Sequence, residues 1–229
     1  MRQPTVLIFA KPPRIGLSKT RLAKSLGSPV EARRIATMAQ ARTLRAALNG
    51  NWQTILYTAP DAELSGSLGG LWPAHLERRS QGPGDLGDRL SKGLREAPAG
   101  PVIFIGADAP GISTALIRKA VRALQRGDAV FGPAKDGGFW LFGINKTGRT
   151  SSPFHGVRWS SPNAMADLKA KLPDDAKITL LPELIDIDHA DDVKAWQSTG
   201  AATSMLTAPP ATSGPAKKKG FFARLFGRS

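Results

Sequence analysis

The chain has 229 residues, no cysteine, and 32 lysines and arginines against 18 aspartates and glutamates, for a net charge of +14. A composition of 41% hydrophobic and 22% charged residues is that of a folded globular protein, and the length suits one domain of ordinary size. Disulfides and thiolate metal sites are excluded, so a bound metal must use oxygen ligands, and no apolar run approaches the ~20 residues of a membrane span.

The positive charge is concentrated at one end of the chain. Residues 217–229 hold five basic residues and no acidic one: Lys217, Lys218, Lys219, Arg224 and Arg228. Nucleic-acid binding usually shows a basic stripe with interleaved aromatic residues or a known module, and the rest of the chain has neither. We therefore expect no nucleic-acid partner, and the lack of an N-terminal cleavage signal predicts a cytoplasmic protein.

The first predicted element is a buried strand over Thr5–Ala10. Residues 11–27 are rich in proline, glycine and basic residues, which favours a loop over a packed element. Four cations cluster in it: Lys11, Arg14, Lys19 and Arg21. A basic loop after the first strand of an α/β sheet is where such folds hold nucleotide phosphates, and a solvated basic turn is the alternative.

Hydrophobic periodicity predicts further helices and strands in alternation, as in α/β proteins. Helices are expected over residues 29–48, 86–94, 116–124 and 162–171, with another at the end of the folded region. Strands are expected over residues 54–58, 76–78, 102–106, 129–132, 139–144 and 178–181. Asp85 or Asp88 is expected to cap the helix that begins near residue 86, and the glycines at 82 and 84 would let the backbone lie flat against a planar base.

The stretch PVIFIGADAP, residues 101–110, has no polar alternation and therefore predicts a central strand covered on both faces. Asp108 comes just after that strand. In open α/β sheets ligands bind outside the carboxyl ends of the strands, so Asp108 is placed to hold a cation or a hydroxyl group. The alternative is a turn or helix-capping acid before Ser113.

Two other acidic segments are candidates. Asp136 precedes two glycines between predicted strands, which is typical of a β-hairpin turn. Asp186 and Asp188 are two residues apart in an extended segment, so their side chains point the same way and would repel unless a cation lay between them. Mg²⁺ or Mn²⁺ is the cation that this chain could hold with oxygen ligands, whereas capping of the last helix by Asp188 is the alternative.

The end of the chain differs in composition from the rest. Residues 200–216 are rich in Ala, Thr, Ser, Pro and Gly, which predicts a disordered linker. In residues 217–229, four apolar side chains gather on one side of a helix among basic residues, which is the composition of an anchor at an anionic membrane surface. We expect this tail to make peripheral contact with the inner face of the membrane, with a partner-binding helix or an inert basic tail as alternatives.

Six motifs together resemble a bacterial family of proposed glycosyltransferases sometimes linked to arsenosugar biosynthesis, itself similar to the phospholactate and molybdenum-cofactor guanylyltransferases. The motifs are FAKPPRIGLSKTRL, QGPGDLGDRL, GADAP, GPAKDGGFWLFGI, RWSS and DIDHADD. The resemblance covers residues 5–196. It implies a domain over residues 1–199 with a GT-A, Rossmann-like nucleotide-diphospho-sugar transferase fold, in which a mixed, mostly parallel sheet has helices on both faces.

The resemblance also implies roles for single residues. Lys11, Lys19 and Arg21 would contact nucleotide phosphates, and Gln81 and Gly82 would lie at the base. Asp108 would be a metal ligand together with Asp186 or Asp188. The acceptor side would consist of Asp136, Gly137, Gly138 and Trp159.

The sequence departs from the family pattern at four positions: Ile15, Ala107, Phe139 and Trp140. None of these departures removes a charged group, but Trp140 changes the shape expected of the acceptor pocket.

The residues predict a metal-dependent transferase, and the resemblance implies that it is a glycosyltransferase that uses a nucleotide-diphospho-sugar donor, with an acceptor that the sequence does not identify. Asp108, Lys19 and Asp136 are the predicted catalytic residues, with Asp136 as the candidate base. A nucleotidyltransferase that releases pyrophosphate is the first alternative. A non-catalytic nucleotide-binding protein is the second.

Overall fold

The computed structural model describes residues 2–66 and 68–199. The predicted linker and basic tail, residues 200–229, lie outside this part of the chain. The described residues form seven strands: β1 (Thr5–Ala10), β2 (Gln53–Thr58), β3 (Glu77–Ser80), β4 (Gly100–Gly106), β5 (Ala129–Pro133), β6 (Phe139–Lys146) and β7 (Ile178–Leu180). They also form six α-helices: α1 (Thr20–Leu26), α2 (Pro29–Leu48), α3 (Leu86–Glu96), α4 (Thr114–Leu124), α5 (Ala164–Lys169) and α6 (Ala190–Ser198).

The seven strands form one sheet in the order β3-β2-β1-β4-β6-β5-β7. Strands β3, β2, β1 and β4 are parallel, β6 runs antiparallel to both β4 and β5, and β7 is parallel to β5. Only β6 runs against the other strands. The prediction of a mixed, mostly parallel sheet is therefore confirmed.

Helices cover both faces of the sheet. Ile103 and Phe104, successive residues of the central strand, point to opposite faces and are each at most 2% exposed, as expected of a doubly covered strand. On the face of Ile103, strand side chains pack against α2 and α4, whereas on the face of Phe104 they pack against α3 and α5. The core therefore consists of two apolar layers with the sheet between them.

The basic segment after β1 is not entirely a loop, so that prediction is wrong for its second half. Residues 20–26 form α1, because Leu22 is fully buried in a third apolar cluster with Ile187 and Trp196 near the C-terminal end of the described chain. These partners lie more than 160 residues away in sequence. The apolar contact stabilises a short helix whose surface is basic.

Other element boundaries differ by a few residues. The third strand begins at Glu77 rather than residue 76, and α5 is shorter than the predicted helix over residues 162–171. Asp85 and Asp88 form a reciprocal capping box at the start of α3, which confirms their predicted structural role. Within the described residues, none of the helices has both the length and the apolar character needed to cross a membrane.

The segment after β7 crosses the carboxyl ends of β5 and β4. The Leu184 N–H donates to the carbonyl oxygen of Pro133 at 3.1 Å, and the Ile187 N–H donates to the carbonyl oxygen of Asp108 at 3.3 Å. These bonds fix residues 184–188 against the loops that follow the two strands. The path brings residues that are distant in sequence to the edge of the sheet where β1 also ends.

Candidate active site

Three carboxylates converge on the side chain of Lys19. Its Nζ atom lies 2.9 Å from Asp188 Oδ1, 3.2 Å from Asp108 Oδ1 and 3.6 Å from Asp186 Oδ1. We call Asp108, Asp186 and Asp188 the carboxylate cluster. The Lys19 side chain is only 4% exposed, so the structure joins four of the predicted site residues in one partly enclosed group.

Lys19 reaches the cluster from a strained backbone position. It is the N-cap residue of α1 and has φ 51° and ψ 39°, in the left-handed region that residues with a Cβ rarely adopt. Such a conformation costs of order 1 kcal/mol and persists only where surrounding contacts hold it. Here the buried Leu22 fixes α1, and the three carboxylates hold the side chain.

Alternation along an extended segment places Asp186 and Asp188 side by side. Ile187 between them is fully buried, so its neighbours turn toward Lys19, as predicted. Asp188 does not cap α6, because its carboxylate instead contacts Lys19 and Arg21, the latter at 2.8 Å. The Asp192 carboxylate accepts hydrogen bonds from the backbone N–H groups of residues 188 and 189 and thereby positions this turn.

Asp108 likewise does not cap a helix. The N-cap residue of α4 is Ser113, whose Oγ accepts a hydrogen bond from the Leu116 N–H. The Asp108 side chain is 48% exposed and faces Lys19. It therefore combines an open side toward solvent with a fixed contact to the ammonium group.

Lys19 and Asp188 each stabilise the ionised form of the other. Burial by itself would lower the pKa of Lys19, but the surrounding carboxylates outweigh that effect and raise the pKa well above its usual value. Burial would raise the pKa of Asp188, but the charge and hydrogen bond of Lys19 and the charge of Arg21 lower it. At neutral pH both groups are therefore ionised.

Asp186 behaves differently from its neighbours. Burial raises its pKa to about 7, and although the charge of Lys19 opposes the rise, the negative charges of Asp108, Asp188 and Asp136 add to it. Its Oδ1 atom is fully buried and has no hydrogen-bond partner. Asp186 is therefore the member of the cluster whose charge the protein stabilises least.

The cluster has the chemistry of a divalent-cation site but not the arrangement of a formed one. Carboxylate oxygens suit Mg²⁺ and Mn²⁺, and the buried Oδ1 of Asp186 lacks a close partner. Within residues 2–66 and 68–199, however, no group of three or more acidic or histidine side chains is arranged so that it could hold a metal ion. The point shared by the three carboxylates is taken by the ammonium group of Lys19.

The other cations of the basic segment do not converge in the same way. Arg14 pairs with Glu63 at 2.9 Å, and Arg21 pairs with the cluster through Asp188. The side chain of Lys11 is exposed. Two of the three predicted phosphate contacts, Lys19 and Arg21, are therefore held at the cluster, and Lys11 lies at the end of β1.

Gln81, predicted to lie at the base of a nucleotide, has a structural role in this fold. It is buried, and its Nε2 donates to the carbonyl oxygens of Ala10 at 3.3 Å and Tyr57 at 3.1 Å, tying the ends of two strands together. Its Oε1 accepts from Arg89 at 3.2 Å, a contact that no sequence motif indicated. The adjacent Gly82 has φ +78° and presents backbone rather than a side chain.

The predicted acceptor-side residues lie in and beside the hairpin of β5 and β6. The two strands are antiparallel, so the hairpin interpretation of the Asp136 segment is confirmed, and Asp136 Oδ1 accepts from the Gly138 N–H at 2.9 Å. Gly137 has φ +85° and lies so close to Pro162 that no side chain fits. Trp159 packs edge-on against Phe139, with ring centroids 6.2 Å apart.

Cavities of the described chain outside the cluster include three, the smallest of which is about 470 Å³ and is lined by residues including Asp128 and Lys171. One of about 660 Å³ is at the opposite edge of the sheet, and its lining includes Arg2, Trp52 and Arg122 but no carboxylate. A second, of about 480 Å³, lies beside the basic segment and is lined by residues including Arg14 and Ile15. Unlike these cavities, the carboxylate cluster combines acidic groups with a buried cation at the carboxyl ends of the strands. It is therefore the candidate active site.

Several solved structures have a fold similar to that of this chain. A protein from Desulfovibrio desulfuricans G20, provisionally named a nucleotide-diphospho-sugar transferase, is 26% identical with a TM-score of 0.77 over 91% of this chain and 92% of the other. Rv0371c of Mycobacterium tuberculosis H37Rv, solved with manganese, is 15% identical with a TM-score of 0.52 over 86% and 100%. CMP:2-keto-3-deoxy-manno-octonic acid synthetase, solved with CTP, is 10% identical with a TM-score of 0.53 over 88% and 100%.

The fold is thus that of the nucleotide-diphospho-sugar transferases and nucleotidyltransferases. The chain belongs to the family described as "Uncharacterized protein conserved in bacteria (DUF2064)", which matches residues 42–161, more than half of its length. No curated protein matches the sequence.

Proposed function

We propose that the protein is a metal-dependent glycosyltransferase that uses a nucleotide-diphospho-sugar donor. The observation that carries the proposal is the convergence of Asp108, Asp186 and Asp188 on Lys19 at the carboxyl edge of the sheet. The likeness to the Desulfovibrio protein, which extends over nearly the whole of both chains, supports a transferase. The arsenosugar link implied by the sequence motifs is part of the same proposal.

In this proposal the basic residues contact the diphosphate directly, and the carboxylate cluster binds it through a divalent ion. Lys19 and Arg21, with Lys11 beside them, offset the charge of the phosphates. Asp108, with Asp186 or Asp188, would hold Mg²⁺ or Mn²⁺, which when bound supplies stabilisation of the negative charge that develops on the diphosphate. The manganese in Rv0371c supports this choice of ion.

The acceptor would approach from the β5–β6 hairpin. Asp136 is the candidate base because its carboxylate lies close enough to influence the pKa of Asp186 and is otherwise bonded only to its own turn. Gly138 donates its N–H to Asp136, Gly137 packs closely against Pro162, and Trp159 would line the acceptor side. Gly82 offers a backbone surface for a base, and the neighbouring Gln81 is held in place by its hydrogen bond to the carbonyl oxygen of Tyr57.

Nucleotidyl transfer is the second candidate. It is favoured by the shared fold of the synthetase solved with CTP and by the resemblance of the motifs to guanylyltransferases. The two reactions differ in the bond that breaks: the sugar–phosphate bond in glycosyl transfer, or the bond between the α- and β-phosphates in nucleotidyl transfer. A non-catalytic nucleotide-binding role is the remaining alternative.

We further propose that the enzyme works in the cytoplasm, held at the inner face of the membrane by residues 217–229. These residues lie outside the described part of the chain, and the proposal rests on their sequence of three lysines followed by FFARLF.

The experiment that tests the proposed function is incubation with radiolabelled nucleoside triphosphates and nucleotide sugars in the presence of Mn²⁺. Release of a nucleoside diphosphate indicates glycosyl transfer, and release of pyrophosphate indicates nucleotidyl transfer. Asp108→Asn should reduce either turnover at least ~100-fold, because a carboxylate at the charge-bearing centre is lost, while the melting temperature changes little.

Asp191→Asn is the matched control, since Asp191 is 91% exposed and pairs only with Lys194 on the same helix. It should leave turnover unchanged. Binding of nucleotide without release of either product would leave the non-catalytic role standing and remove both enzyme proposals.

A further inference from the structure

The ammonium group of Lys19 occupies the place that a cation shared by the three carboxylates would need. Its nitrogen is 2.9–3.6 Å from one oxygen of each. Mg²⁺ and Ca²⁺ lie ~2.0–2.6 Å from their oxygen ligands, so the same three oxygens cannot serve the ammonium group and a divalent ion together. Two like charges so close in a partly buried site also repel strongly.

We propose that Lys19 is a built-in counter-ion that keeps divalent cations out of the carboxylate cluster until a ligand carrying a diphosphate draws the lysine away. The inference rests on the proposed function and adds to it the order in which the diphosphate and the divalent ion occupy the site. Lys19 and the divalent ion exclude each other at the cluster, and the phosphate groups of the substrate decide which of the two is present.

The burial of Lys19 explains why a strong anion is required. The side chain is 4% exposed, so moving it off the carboxylates without a new partner would leave a charged amine unpaired in a poorly solvated place. A neutral sugar or alcohol cannot replace the carboxylates. A diphosphate can, because its oxygens carry comparable charge and form charge-assisted hydrogen bonds.

The position of Arg21 shows where that anion would enter. Its guanidinium is bonded to Asp188 at 2.8 Å, yet its side chain is 64% exposed, so it extends from the cluster into solvent. A phosphate arriving from solvent meets Arg21 first and Lys19 next. Each cation that turns toward the phosphate frees carboxylate oxygen for the divalent ion, so ligand and metal raise each other's affinity.

The test is the binding of Mn²⁺ alone, without nucleotide, to the full-length protein, measured by the loss of the free Mn²⁺ signal in electron paramagnetic resonance. Lys19→Met removes the charge but keeps a similar stem, and it leaves the backbone strain at residue 19 unchanged. We expect the variant to bind Mn²⁺ about tenfold or more tightly than the wild-type protein. Lys19→Gln, which is neutral but polar, serves as a second variant if Lys19→Met does not fold.

Lys24→Met is the matched control. It removes the same charge from the same helix, and Lys24 is exposed and forms no ion pair with an acid of the described chain. Its Mn²⁺ affinity should stay within about twofold of the wild-type value, which would show that the gain at residue 19 is local and not an effect of net charge.

Equal or weaker Mn²⁺ binding by folded Lys19→Met or Lys19→Gln would overturn the inference. This outcome is distinct from failure of the proposed function, because no nucleotide is present. A variant that binds Mn²⁺ more tightly while the wild-type protein turns over no nucleotide would support the exclusion by Lys19 and reject the transferase. Strong Mn²⁺ binding by the wild-type protein alone would also count against the inference.

Discussion

At the scale of single residues, Asp186 differs from the other two carboxylates of the cluster in having a buried oxygen with no hydrogen-bond partner. Asp188 is stabilised as an anion by two cations, and the side chain of Asp108 is about half exposed, but Asp186 has a fully buried oxygen without a hydrogen-bond donor. Burial and neighbouring negative charges therefore raise its pKa to about 7. Ionised Asp186 makes the folded protein less stable in the absence of a bound cation.

This difference predicts how stability depends on pH. The pKa of Asp186 in the folded protein exceeds the value of ~3.9 expected in the unfolded chain, so the folded state holds the extra proton between about pH 4 and 7. Stability from this group is present below that range and is lost as the pH rises through 7. Asp186→Asn, which cannot ionise, should therefore raise stability by on the order of 1–3 kcal/mol at pH 8 and by much less at pH 5.

The measurement is thermal unfolding of both proteins at pH 5 and pH 8 in the presence of EDTA. Asp191→Asn provides the control, because its exposed carboxylate should produce no pH-dependent difference. A gain from Asp186→Asn that is equal at the two pH values would contradict the assignment.

At the scale of elements, α1 determines whether Lys19 reaches the carboxylate cluster. The helix has only seven residues and would not be stable alone, and its packing on α2 and on the segment around Ile187 holds it in place. Lys19 at its N-terminus and Asp186 and Asp188 beside Ile187 are thus carried by two elements that share one apolar cluster. The stability of this apolar cluster and the geometry of the candidate site are therefore linked.

Leu22→Ala should therefore damage both stability and the site. Removing a fully buried leucine costs ~2–5 kcal/mol, because its packing is lost and a cavity remains. Leu180→Ala, at a leucine that is 58% exposed, should cost no more than about 0.5 kcal/mol. Urea unfolding of the two variants measures the difference, and equal losses would show that α1 is not anchored through Leu22.

At the scale of the whole molecule, the proposed catalytic and membrane-binding features lie in different parts of the chain. The fold over the described residues supplies the sheet and the candidate site, whereas residues 217–229 combine five basic residues with a short apolar run. Attraction of basic residues to anionic lipid is worth about 1 kcal/mol each near the surface, so the tail and not the folded domain should decide membrane binding.

Deletion of residues 214–229 should consequently abolish sedimentation with liposomes of anionic lipid but leave nucleotide turnover in solution unchanged. Raising the salt concentration should weaken binding of the full-length protein, because part of the attraction is electrostatic. Neutral liposomes serve as the comparison. Equal sedimentation of the full-length and shortened proteins would rule out the anchor.

Much of this architecture was predictable because it depends on neighbours in sequence. Continuous apolar runs specified β1 and the central strand, the alternation of side chains specified that Asp186 and Asp188 face the same way, and capping chemistry specified the role of Asp85 and Asp88. In each case the residues that interact are within a few positions of one another, so a local pattern contains the required information.

Only the tertiary structure decided what fills the centre of the site. The formation of α1, the burial of Gln81 and the place of Lys19 among three carboxylates depend on contacts between residues 70 to 170 positions apart. Burial and the field of several charges also set the pKa of Asp186, and neither can be read from the residues next to it. The sequence by itself determined which chemical groups are available at the sheet edge; the fold determined their distances, and the electrostatics of the site depends on those distances.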